Sequence, residues 1–131
     1  ERENLLRGAF VVYETGGHGL IAAQTDLGDM DWNAAKIACD ELVLNGYTDW
    51  RLPTKEELNA IYVNLVKYGA RRQNFNIDGI YWSSTEYSSA LAWEQTFGGD
   101  GTWVGNSWVG PGSQNYNSKA NRCNVRAVRA F

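Results

Sequence analysis

Histidine is almost absent from this chain of 131 residues: His18 is the single one, and cysteine occurs only at Cys39 and Cys123. A zinc site wants paired Cys or His a few residues apart, and no such spacing exists here. No apolar run approaches the length needed to cross a bilayer, so a soluble domain without membrane insertion is expected. An initiating Met and a signal-like start are lacking too, which points to a processed chain or an excised domain. Acidic residues stop at Asp100. Residues 1–100 carry 8 basic and 15 acidic side chains, whereas residues 101–131 carry 4 basic and no acidic ones. With a formal net charge of −3, the chain lacks the basic excess that nucleic-acid binding asks for. The basic tail either attracts an anionic ligand such as a sulfated glycan or, more simply, answers acids elsewhere in the fold.

What is present is enough for one domain over residues 1–131: 44% of the side chains are hydrophobic, sufficient to bury a core. The most informative stretch runs from Asp49 to Leu58. Pro53 holds Leu52 extended, and Thr54 with Glu57 has the spacing of a capping box, so a helix starts at Lys55 and runs to about Lys67. Leu58, Ile61, Leu65 and Tyr68 form its apolar face, and Gly69 stops it. An earlier helix spans Trp32 to Leu44, with Trp32, Ala35, Cys39 and Leu42 on one face, Asp31 as N-cap and Asn45-Gly46 as terminator. Asp26, Asp29 and Asp31 lie close together, but they lack the ligand order and closing Glu of a helix-loop-helix calcium site. Capping and solvation explain them better.

Strands are expected at Phe10 to Glu14 and Leu20 to Ala23, as a hairpin, and then at Ile80 to Thr85 and Leu91 to Phe97. Gly98 to Gly101 is expected as a tight turn that pairs Thr102-Trp103-Val104 with the strand before it. Gly105 to Ala120 is poor in aliphatic residues and is expected as a long surface loop, the kind that carries function. Cys123 to Phe131 is expected as a closing strand with Val125, Ala127, Arg129 and Phe131 on one side. Two helices preceding most of the strands make an α+β arrangement.

Convergent reactive groups are hard to find. His18 sits in a glycine-rich turn, and neither Ser83 nor Ser84 has the surroundings of an activated nucleophile. The glycines at 98–101 lack the Lys and following helix of a phosphate loop, and no carboxylate pair stands out. No catalytic residue, cofactor or metal is expected. Recognition chemistry, in contrast, is plentiful after residue 92. Trp93, Gln95, Trp103, Trp108 and Tyr116 are interleaved with Asn106, Ser107, Gln114, Asn115, Asn117, Ser118, Asn121 and Asn124. Rigid aromatics beside short amides and hydroxyls are what binding loops use. For Trp82 and Trp93 the simpler reading is core. Cys39 and Cys123 are either two buried thiols or a bridge closing a long loop, which would contribute about 3–5 kcal/mol in the chain-entropy model.

Trp32, Ala35, Cys39 and Leu42, then Asp49-Trp50-Arg51-Leu52-Pro53-Thr54 with Glu57-Leu58, then Tyr81-Trp82-Ser83-Ser84-Thr85, then Arg122-Cys123-Asn124-Val125-Arg126 resemble the Lcl C-terminal domain family of bacterial surface proteins, from about Leu20 onward. That resemblance implies a C-type lectin-like fold: two helices packed on a small twisted antiparallel sheet with a long ligand-binding loop region. It also implies a Cys39–Cys123 disulfide. Within the last fifty residues, the Asn-rich run ending in Val125-Arg126-Ala127-Val128-Arg129-Ala130-Phe131 is further similar to the C-termini of variable proteins diversified by retroelements, in which Asn codons are exchanged on a fixed framework. A variable, target-recognising domain follows, acting at a bacterial, phage or virion surface on a protein or glycan of another cell or particle, with a homo-oligomer in the full-length protein. A fixed adhesin using Lys119, Arg122 and Arg126 on a sulfated glycan is the alternative. Formylglycine-generating enzymes share the fold, but their catalytic cysteine pair is not recognisable here.

Overall fold

The computed structural model describes residues 8–98 and 102–131. In chain order, its elements are β1 (Ala9–Thr15), β2 (His18–Ala23), β3 (Asp29–Met30), α1 (Trp32–Asp40), α2 (Lys55–Ile61), β4 (Ile80–Glu86), β5 (Leu91–Thr96), β6 (Thr102–Val104), β7 (Ser107–Val109), β8 (Gln114–Ser118), β9 (Cys123–Asn124) and β10 (Val128–Ala130). A π-helical turn, Tyr62–Lys67, extends α2, and a 3-10 turn covers Arg72–Asn74. The architecture is α+β, as expected.

Three sheets organise the strands. One has the order β1-β2-β10, a five-stranded one has the order β3-β9-β4-β5-β8, and among the described residues β6 pairs with β7 alone. The segment around Arg51 joins the first two. Arg51 exchanges both backbone hydrogen bonds with Val128 of β10, and the Pro53 carbonyl accepts the Ser84 N–H at 2.7 Å. Thr85 Oγ1 then accepts the Lys55 N–H at 2.9 Å, which fixes the first turn of α2 against β4. The capping box forms as the sequence predicts, with Thr54 and Glu57 satisfying each other's backbone N–H. Glu57 does more than cap, because both its oxygens also take the Arg51 guanidinium in a bidentate fork. Arg51 and α2 are thereby oriented together.

The sheet separates two cores. On one side α1 packs Trp32, Ala35 and Cys39 against Trp82, Ala92 and Cys123. On the other, Leu58, Ile61 and Leu65 pack against Tyr81, Phe97 and Val128. Adjacent Tyr81 and Trp82 belong to opposite cores because successive strand side chains point to opposite faces.

Several expectations change. α1 stops at Asp40, and Asn45 and Gly46, both at positive φ, instead turn the short bridge between Leu44 and Tyr47. Tyr68 is exposed because the wider π-helical turn rotates it off the apolar face. The expected turn at 98–101 lies outside the described residues beyond Gly98. Thr102-Trp103-Val104 does not partner β5: its partner is β7, and β5 is paired instead by β8. The expected loop at 105–120 therefore contains two strands. Cys123 to Phe131 is not one alternating strand either. Residues 125–128 are buried without a break, because the chain crosses there from the five-stranded sheet to the three-stranded one.

The disulfide is also corrected. Cys39 and Cys123 lie in the same core cluster, but both are free thiols. Burial pushes each thiol up to about 12, so neither carries the thiolate needed for nucleophilic chemistry near neutral pH. The expected result of mass analysis without reductant is the mass of the fully reduced chain. A thiol reagent should label neither cysteine in the native protein and both in denaturant. A native mass lacking two hydrogens would restore the bridge.

Candidate ligand-binding face

The register of β4, β5 and β8 assigns every side chain in the recognition-rich segment to a face. Leu91, Trp93 and Gln95 stand opposite Ser118, Tyr116 and Gln114, on the side of α2. Ala92 and Glu94 stand opposite Asn117 and Asn115, on the side of Trp82 and Cys123.

The α2 side carries an aromatic platform. Tyr87 stacks on Tyr116 with ring centroids 4.2 Å apart and planes 15° from parallel. Trp93 meets both rings edge-on, at 5.9 and 5.8 Å. Lys55 Nζ lies 3.6 Å from the Trp93 ring centroid, a cation–π contact. Tyr87 and Tyr116 are about half exposed, at 54% and 51%, which leaves the outer part of the stack open to solvent. Below the platform Gln95 is fully buried, donating to Asn59 Oδ1 and the Gly112 carbonyl and accepting from Gln114 Nε2. Gln95 braces the face and offers nothing to a ligand.

Other expected contact residues scatter. Trp103 stands opposite Trp108 in the β6–β7 hairpin, and Trp103 is 66% exposed. Asn106 is exposed in the turn of that hairpin, and Ser107 begins β7. Asn117 donates to Cys123 Sγ at 3.7 Å and accepts from Asn121 Nδ2 at 2.7 Å. Ser118 Oγ accepts the Ala120 N–H, and Asn124 Nδ2 donates to the Ile80 carbonyl. Asn117, Ser118 and Asn124 are thus engaged within the fold. Tyr87 was not anticipated. The signal was available in Glu86-Tyr87-Ser88-Ser89, a turn that returns the chain into β5.

The face toward Trp82 holds an unsatisfied polar group. Glu94 is 5% exposed, and its Oε2, like Asn115 Nδ2 on the paired residue, has no hydrogen-bond partner among the described residues. Desolvation pushes the Glu94 carboxyl up to about 7.

The basic tail is answered residue by residue. Lys119 pairs with Glu86, Arg122 with Asp29, Arg126 with Asp26 and Arg129 with Asp49. Arg126 is almost wholly buried and also donates to the carbonyls of Ala23 and Asn74. The three aspartates of the 26–31 loop are likewise committed, since Asp31 Oδ1 accepts the Ala34 N–H as the N-cap of α1. Ser83 is buried with its hydroxyl donating to the Trp93 carbonyl, so it is structural.

An α+β domain with a two-sided central sheet and an aromatic surface built on its β5–β8 edge is the class these observations define. The Lcl C-terminal domain family matches residues 14–129, and the chain belongs to that family. A search of curated proteins finds no match.

Proposed function

We propose that this domain is a non-enzymatic recognition module of C-type lectin-like fold, the variable target-binding part of a retroelement-diversified protein at a bacterial, phage or virion surface. Its ligand is a protein or glycan on another cell or particle. The half-exposed Tyr87–Tyr116 stack, held edge-on by Trp93, is the observation that carries this reading. Rigid rings that are already ordered lose little conformational freedom on binding, and such anchors concentrate binding energy. The exposed Trp103 and Asn106 of the β6–β7 hairpin extend the surface, and exchangeable residues lie between 93 and 124. Support for the fold comes from β1 and β10, which flank β2 and so place the early and late strands side by side.

The first test is the DNA downstream of the gene. A near-copy of the segment encoding roughly residues 91–131, differing only where it carries adenine, is the expected finding; without it the protein is a fixed adhesin. In that second reading the stack itself offers a surface for a sugar ring. A sulfated glycan is disfavoured, because Lys119, Arg122 and Arg126 already hold carboxylates. On either reading, Tyr116→Ala and Tyr87→Ala should each weaken ligand capture about tenfold or more while leaving the fold intact. Unchanged capture by both variants would move the contact surface elsewhere.

A further inference from the structure

We propose that the outer edge of β8 takes up an extended segment of a protein ligand as an added strand, with an acidic side chain of that segment reaching Lys55 and an apolar or aromatic one lying against Tyr87 and Tyr116. The inference deepens the recognition reading above and rests on it.

The edge is defined by the hydrogen-bond alternation of an antiparallel pair. Thr96 N–H donates to the Ser113 carbonyl and Lys119 N–H to the Ala90 carbonyl, at the two ends of a register that runs from Leu91↔Ser118 to Gln95↔Gln114 without a shift. Asn115 and Asn117 therefore turn their backbone groups toward β5, and Gln114, Tyr116 and Ser118 turn theirs outward. The Ser118 carbonyl is taken by the Asn121 N–H. Among the described residues, no backbone partner meets the N–H and C=O of Gln114 and Tyr116, and β8 is the last strand of its sheet. These are the groups with which a sheet edge captures an extended chain.

Two further observations mark this edge as a reception site. Exposed edges are normally guarded by charged side chains, proline or a bulge. Residues 114–118, Gln-Asn-Tyr-Asn-Ser, have no charge, no proline and no break in register. Lys119, which follows, is turned away to Glu86. The second observation is the alignment of edge and platform. The residues with outward backbone groups are the ones whose side chains lie on the α2 face, so Tyr116 presents an open N–H and a stacked ring at one position. Beside it Lys55 is the platform's charge. Among the described residues it pairs with no carboxylate; its ammonium lies over the Trp93 ring, and its backbone bonds Thr85 and Gln114. An uncompensated ammonium next to an uncharged edge selects a segment that brings its own carboxylate.

The test is selection of random linear dodecapeptides displayed on phage against the intact chain, followed by hydrogen exchange. Enriched peptides should alternate, with an acidic residue spaced evenly from an aromatic one. The amides of Gln114 and Tyr116 should exchange fast in the free protein and slow at least tenfold with a selected peptide bound. Tyr116→Pro removes the ring and an outward donor together without touching the β5 ladder, so it should stay folded and bind at least tenfold more weakly than Tyr116→Ala, which removes the ring alone. Lys55→Ala should cost about threefold to tenfold and remove most of the salt dependence. Should Tyr116→Pro fail to fold, the exchange result and Lys55→Ala decide. Four outcomes overturn the inference: no enriched peptide, binding by a folded Tyr116→Pro equal to that of Tyr116→Ala, slow exchange of both amides in the free monomer, or their protection by concentration-dependent dimerisation. A near-copy of the gene segment found alongside any of these keeps the recognition reading and removes only the edge. Any of these outcomes without a near-copy, and with ligand capture unchanged in Tyr87→Ala and Tyr116→Ala, removes the two together.

Discussion

Replacing Arg126 by alanine is expected to lower the unfolding free energy by about 3–5 kcal/mol, the usual cost of breaking a buried ion pair from one side. Asp26 Oδ1 receives Arg126 Nε at 2.8 Å and lies 2.7 Å from Nη2, while Nη1 and Nη2 also hold the carbonyls of Ala23 and Asn74. The guanidinium carbon sits 4.0 Å from the Phe75 ring centroid. The Tyr81 hydroxyl closes the group by donating to both Asp26 oxygens and accepting the Asn76 N–H; burial, the largest influence, pushes its pKa above the usual phenol range. Alanine would leave two carbonyls and a carboxylate facing a void, in a domain whose class has about 5–15 kcal/mol in total. Urea denaturation read by tryptophan fluorescence measures the loss. A decrease below about 1 kcal/mol would mean that the network contributes little beyond filling space.

The second large effect depends on pH. Glu94 has a folded-state pKa of about 7, raised by burial from an ordinary value of 4.5. A raised pKa means that the folded protein binds this proton more tightly than the unfolded chain. Below pH 4.5 both states are protonated and no penalty exists. Between that pH and about 7 the unfolded chain ionises first, so stability falls as pH rises, and above about 7 the loss is complete. Each pH unit separating the folded and unfolded values is worth about 1.4 kcal/mol, so the full loss is on the order of 3 kcal/mol. Glu94→Gln removes the charge and keeps the shape. The variant should therefore match the wild type near pH 4.5 and exceed it by about 2–3 kcal/mol at pH 8.5. Parallel stability curves across this range would show that Asn115 or water already satisfies the carboxylate in solution.

The parts of the fold legible in the sequence were those with a local cause. Thr54 and Glu57 announce a helix start through their spacing alone, Asp31 does the same for α1, and both occur as expected. β8 was illegible for the opposite reason. Gln-Asn-Tyr-Asn-Ser has one strand-favouring residue, Tyr116, between two strand-disfavouring asparagines, and it is a strand because β5 offers it a partner, a tertiary effect that overrides composition. The candidate face was read in part: Trp93 and Tyr116 come together, but their stacking partner Tyr87 arrives from another strand end, and Gln95 proves internal. The basic tail needed three dimensions, since each of its partners lies at least 33 residues away in sequence.

Those long spans bear on how the molecule comes into being. Arg126 closes contacts across 100 residues to Asp26, and Val128 pairs with Ala22 on one flank and Arg51 on the other. During synthesis the early hairpin and both helices must wait, with one flank of β2 open, until residues 122–130 have left the ribosome. Non-local closure of this kind folds slowly and leaves edges exposed in the interim. The vulnerable moment for this protein is its birth, while the flank of β2 that β10 later covers is still open.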